Sequence, residues 1–95
     1  MAFTKETIVG KRILIRISLL DEQGKIDSRV QVYGKVTECT NQYIKVIMSQ
    51  GEEFFIPPAF DQIKASPPEA VYTIRETNEE LKDIEAVAVL TMTPA

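Results

Sequence analysis

Apolar and polar residues alternate along the first part of this chain at the two-residue period of half-buried β-strands. Ile13, Ile15, Ile17 and Leu19 hold odd positions with Arg16 and Ser18 between them, so odd residues face a core and Leu14 is the exception. Val30, Val32, Gly34 and Val36 then hold even positions, and Arg29, Gln31, Tyr33, Lys35 and Thr37 face the other way. Joining an odd inward phase to an even one requires a loop with an even number of residues. Gly24-Lys25 within DEQGK fits a two-residue type II′ turn, and a four-residue loop keeps the same parity. Cys39-Thr40-Asn41 suits a three-residue turn with Asn41 in the left-handed region, which sets Val36 opposite Ile44 and Lys35 opposite Lys45. Ile44, Val46 and Met48 continue the inward face. A three-residue Ser49-Gln50-Gly51 loop, with Gly51 at positive φ, brings in Phe54 and Ile56 behind them, whereas a two-residue Gln50-Gly51 turn would set Phe54 against Lys45. Ile15, Ile17, Val32, Val46, Phe54 and Ile56 are thus expected to share one core.

Pro57-Pro58 ends this run, because proline has no N–H to give to a ladder. From Ala59 to Ala65 a single helical or 3-10 turn fits, with Phe60 and Ile63 spaced to plug one end of the core. Val71 to Ile74 reads as a strand, and so does Glu85 to Thr91. Between them TNEELKD suits a helical turn, since Thr77 and Glu80 have capping-box spacing, and a helix running on through Ala88 is the rival reading.

Successive hairpins, a short helical plug and late strands predict a mainly β fold over residues 1–95. The expected form is a small barrel of five to six antiparallel strands in one domain, since curling lets few strands bury one face. The order resembles that of SH3-like and Sm-like barrels, in which a 3-10 turn separates the fourth and fifth strands; a longer helical segment would make it OB-like. The segments GKRILIRI and EEFFIPP resemble those of small bacterial barrel proteins without an assigned role. The resemblance implies a fold and a bacterial source, and it carries over no binding residue.

Composition narrows the chemistry. Hydrophobic residues at 44% and charged residues at 26% are ordinary globular values, so disorder has no compositional support. The chain has no histidine, which removes Ser-His-Asp and Cys-His catalysis in their usual forms. Cys39 is the one cysteine, so no internal disulfide forms and no usual zinc site is available; it reads as an inert turn residue in a reducing compartment, with cytoplasm as the default. No apolar run approaches the roughly 18 residues that span a bilayer. Glu52 and Glu53 point to opposite faces of a strand, Gly10-Lys11 lacks a phosphate-binding glycine loop, and Glu79, Glu80 and Asp83 lack calcium-loop spacing. No catalytic residue, metal or cofactor is expected.

The net charge of −3 is unevenly spread: residues 1–50 carry eight basic and five acidic side chains, and residues 51–95 carry three and nine. The halves, at +3 and −6, are expected to attract each other. One constellation stands out on the outward face, where Arg12, Arg16, Lys35 and Lys45 gather near Tyr33, Tyr43 and Phe55. Basic groups interleaved with aromatic platforms suit single-stranded nucleic acid, although the acidic net charge favours a solvated face. Leu14, Ile47 and Phe55 share that face and call for cover. In order of economy, the cover is the acidic C-terminal segment, an identical subunit or a protein partner. The resulting expectation is a non-catalytic binding or interaction module that associates with a protein partner or itself, with a nucleic-acid-binding barrel as the alternative.

Overall fold

The computed structural model of the protein describes residues 3–67, 69–74 and 77–93. Its organising element is strand β1, Arg12–Leu20, in which Ile13, Leu14 and Ile15 are all fully buried. Consecutive residues of a strand point to opposite faces, so this run means that both faces of β1 are covered. The remaining elements, in chain order, supply those covers and the ladders beside them.

Before β1, Thr4 caps a single helical turn, α1 (Lys5–Ile8): its Oγ1 accepts from the Thr7 N–H, while the Thr7 hydroxyl accepts from the Thr4 N–H. After it come β2 (Ile26–Cys39), β3 (Ile44–Met48), β4 (Glu53–Ile56), a 3-10 turn (Phe60–Gln62), β5 (Ile63–Ala65), β6 (Tyr72–Ile74), β7 (Glu79–Leu81) and β8 (Ala86–Met92). Six strands make one sheet in the order β4-β3-β2-β1-β8-β5, and β6 and β7 form a separate two-stranded sheet. The fold is mainly β. It differs from the all-antiparallel arrangement expected from the sequence, because β8 runs parallel to β1, with Ile15 opposite Ala88. That pairing needs no hairpin: Glu85 donates to the Arg12 carbonyl and accepts from the Arg12 N–H through its side chain, locking the start of the ladder.

The inner face carries the main core. Ile13, Ile15 and Ile17 pack with Val36, Val46, Ile56, Ile63, Ala88 and Leu90, and Val32 and Phe54 pack half-buried against this cluster. These side chains come from both outer strands as well as the centre. Among the described residues only α1, the 3-10 turn and Phe3 contribute to this core from outside the sheet, so the sheet curves round its own inner face. The curve stops short of closure: β4 and β5 are the two edges, with no ladder joining them among the described residues.

The expected β3–β4 register holds throughout. Ile44 faces Ile56 and Val46 faces Phe54, and the loop 49–51 places Gly51 at φ 90°. The other two hairpins depart from expectation through bulges. The β1–β2 loop has three residues, 22–24, closed by a 2.7 Å bond from the Asp21 N–H to the Lys25 carbonyl, and Gly24 takes its third position at φ 81°. Asp21 Oδ1 accepts from the Gln23 and Lys25 N–H groups, and a register shift that leaves Asp27 unpaired restores the inward phase of Val30 and Val32. In the β2–β3 connection the Thr40 hydroxyl accepts from Gln42 and Tyr43, the turn tightens to Asn41-Gln42, and Asn41 does not adopt positive φ. A second shift at Thr37 sets Val36 opposite Val46 rather than Ile44. Lys35 therefore faces Ile47, not Lys45.

The outer face of β1 carries a second, smaller core: Leu14 with Ile74, Leu81 and Ile84, flanked by Tyr33, Tyr72 and Val87. The segment TNEELKD is not a helical turn. It returns as strand β7 against β6, with Asn78 at φ 57° donating to the Ile74 carbonyl, and Glu85 onward is strand rather than helix. The acidic segment thus lies over the outer sheet, the most economical of the three covers, and it hides Leu14 but leaves Phe55 52% exposed. No described helix is long and apolar enough to cross a membrane.

Two substitutions test this arrangement. A Cβ added at Gly34 would lie 2.3 Å from the Ile47 carbonyl oxygen, a backbone atom held in the β2–β3 ladder, so Gly34→Ala should lower the unfolding free energy by about 3 kcal/mol or more in denaturant titration. Leu14→Ala should cost about 2–5 kcal/mol, and native-state hydrogen exchange should show β6 and β7 losing protection while β3 and β4 keep it. Equal loss in both places would mean that the hairpin is not a separable layer.

Candidate interaction surface

The outward phases of β1 to β4, with Tyr43 just before β3, carry the charged and aromatic residues picked out from the sequence, and the ladders decide which of them meet. They form two groups and a remainder. Arg12, Arg16 and Tyr33 lie beneath or beside the β6–β7 hairpin. The Arg12 guanidinium donates to the Lys82 carbonyl at 3.2 Å, Tyr33 donates to Glu79 at 2.9 Å, and the Arg16 guanidinium sits 5.6 Å from the centre of the Tyr72 ring. Lys11 adds an ion pair to Glu85 at 3.6 Å. These contacts join the first half of the chain to the second, and among them Lys11–Glu85 is the one that pairs opposite charges.

Tyr43 just before β3, Lys45 on β3 and Phe55 on β4 form the second group. Lys45 is opposite Phe55 in the ladder and pairs with Glu53 at 2.6 Å, and the Tyr43 and Phe55 rings meet edge to face with centroids 5.3 Å apart. Tyr43 donates its hydroxyl to Glu38. Lys35 remains, opposite Arg12 on one side and Ile47 on the other. The like-charge pair is therefore Lys35 with Arg12, and Arg12 turns toward the Lys82 carbonyl. Six of the seven residues are engaged within the chain, and Lys35 alone has no such partner among the described residues.

Ionisation follows these contacts. The hydrogen bond to Glu38 raises the Tyr43 hydroxyl above the ordinary tyrosine value, helped by desolvation and the Glu38 charge. The bond to Glu53, and then its charge, raise the Lys45 ammonium. Cys39 ends β2, half-buried against the core, rather than sitting in a turn, and burial pushes its thiol up despite Lys5 nearby. A thiol shifted that way is a poorer nucleophile at neutral pH. Glu79 and Glu80 are neighbours on β7 and do not share a helical turn with Asp83.

What the outward pattern missed is the far end of the β1–β2 hairpin. β3 accompanies β2 only from Gly34 to Cys39, so from Ile26 to Val30 β2 has a ladder on the β1 side alone among the described residues. All five residues of that stretch are exposed, with Ile26 at 52% and Val30 at 37%. A half-buried strand alternates; this one does not, because it projects as an arm past the end of β3. At its base an open groove of about 320 Å³ runs beside Arg16, Ser18, Arg29 and Thr73. The apolar alternation of the sequence begins at Val30 and gave no signal for the four residues of β2 before it; β2 has 14 residues in the structure, and β3 has five. Comparison of the chain with protein-family models, with curated proteins and with solved structures finds no match.

The Tyr43–Glu38 contact carries a pH signature. A raised folded pKa means the protonated phenol is favoured in the native state, so this contribution to stability is full below the ordinary value of about 10 and is lost as pH climbs through the raised one. In an ultraviolet titration of the phenolates, Glu38→Gln should move the latest-titrating tyrosine to lower pH. An unchanged curve would mean that the contact does not persist in solution.

Proposed function

We propose that this protein is a non-catalytic interaction module that docks a protein partner along the β1–β2 arm. The observation that carries the reading is the five-residue stretch Ile26–Val30, exposed throughout and laddered on one side. An open strand edge offers a row of backbone donors and acceptors to an incoming strand, and isolated apolar side chains beside it add contact area. Two exposed branched apolar residues at Ile26 and Val30 suit that use better than solvent. The order β1 to β4, 3-10 turn and β5 supports an opened SH3-like or Sm-like barrel as the architecture, widened by β8 between β1 and β5. The single thiol suits a reducing compartment such as the cytoplasm.

The nucleic-acid reading is second. The self-engagement of Arg12, Arg16, Tyr33, Tyr43 and Lys45 counts against it, and the groove beside Arg16 and Arg29 is the observation in its favour.

Site-specific photo-crosslinking in the native cell separates the two. A crosslinker at Val30 should capture one protein, identified by mass spectrometry, that a crosslinker at Thr37 does not; Thr37 is also exposed but lies where β3 runs beside β2. Equal capture at the two positions would overturn the arm as the docking surface. Titration with single-stranded DNA and RNA at low ionic strength should show no saturable binding. Salt-sensitive binding weakened by Arg29→Ala would replace the interaction reading with the nucleic-acid one.

A further inference from the structure

The open edge of β2 carries its own complement. In the β1–β2 ladder the Val36 carbonyl accepts from Gly10 and the Val36 N–H donates to the Lys11 carbonyl. The register runs unbroken from there to Ser28, so even residues of β2 turn their backbone groups to β1, and Arg29 turns its own to the open side. Asp27, the bulge residue, has no partner on β1. Asp27 and Arg29 are both exposed, and neither has an ion-pair partner among the described residues.

Natural edges are guarded by bulges and by charges, and repeated charges of one sign repel a second copy. This edge has one charge of each sign, placed symmetrically about Ser28 in the sequence Ile26-Asp27-Ser28-Arg29-Val30. We propose that two copies of this chain pair antiparallel along this edge, with the two-fold axis at Ser28, so that Asp27 of each copy faces Arg29 of the other. The register makes two opposite-charge cross-strand pairs at once and sets Ile26 of each copy on the same rung as Val30 of the other, so that both exposed apolar side chains of the arm gain a neighbour. The contact is isologous and therefore closes as a dimer instead of growing into a fibre. The proposal rests on the reading of the arm as a docking surface and names its occupant.

Sedimentation across a concentration series is the test. Wild type should approach twice the chain mass of 10.7 kDa as concentration rises. Arg29→Asp and Asp27→Arg each place like charges at both contacts and should raise the dissociation constant about tenfold or more. Mixing the two variants should restore a one-to-one dimer, because the all-acidic edge then meets the all-basic one, and no loss of folding imitates that rescue. A wild type that stays monomeric throughout, or a dimer indifferent to either substitution, overturns self-pairing. If that monomer still crosslinks a different protein from Val30, self-pairing has failed and the docking surface stands; if Val30 crosslinks nothing, both have failed.

Discussion

Double-sided burial of β1 is the constraint on which the rest of this structure depends. A strand covered on one face alone would need only the inner core that Ile13, Ile15 and Ile17 share with the rest of the sheet. Leu14 changes that requirement. A fully buried leucine on the outer face demands a second apolar layer, and the chain supplies it with Ile74, Leu81 and Ile84 from a segment whose other residues are mostly charged. β8 then occupies the remaining side of β1, with Ala86 and Ala88 as its inward residues. Their small side chains leave room on the inner face, which Ile63 of β5, opposite Ala88 in the ladder, helps to fill.

Periodicity reveals which face a residue takes and is silent on how far a strand has slipped. The β3–β4 hairpin was legible because its loop fixes parity and no bulge intervenes, so Gly51 alone determines the register. The bulges at Asp27 and Thr37 each add a residue without changing the apolar pattern on either side. Two different loops therefore satisfy the same sequence, and the Asp21 and Thr40 side-chain bonds select the observed ones. Strand β8 was legible as a strand, but not its direction, since nothing local distinguishes a parallel neighbour dozens of residues away. The β6–β7 hairpin was hidden by composition: three-residue strands are too short to show alternation, and Thr77 with Glu80 satisfies a helix-cap pattern that Asn78 overrides by turning left-handed.

The charged constellation was legible as a set of outward residues but not as a group. Outward phase placed Arg12, Arg16, Tyr33 and Lys45 correctly on the surface side of their strands, yet their partners come from Lys82, Tyr72, Glu79 and Glu53. The uneven charge of the two halves has its counterpart in the ion pairs Lys11–Glu85 and Lys45–Glu53, while Arg12 and Arg16 meet a backbone carbonyl and an aromatic ring. The arm escaped notice because Ile26-Asp27-Ser28-Arg29-Val30 shows no two-residue alternation, and the shortness of β3 leaves it laddered on one side.

The parallel ladder between β1 and β8 has a consequence in time as well as space. Ile13 meets Ala86, so the sheet cannot be completed until the chain has been synthesised through β8, and the closure spans a far longer loop than any of its hairpins. Until then β1 presents a bare edge and the apolar faces of Ile13 and Leu14 to its surroundings. During that interval the Ala86–Met92 strand of any neighbouring nascent copy has the same fit as the chain's own.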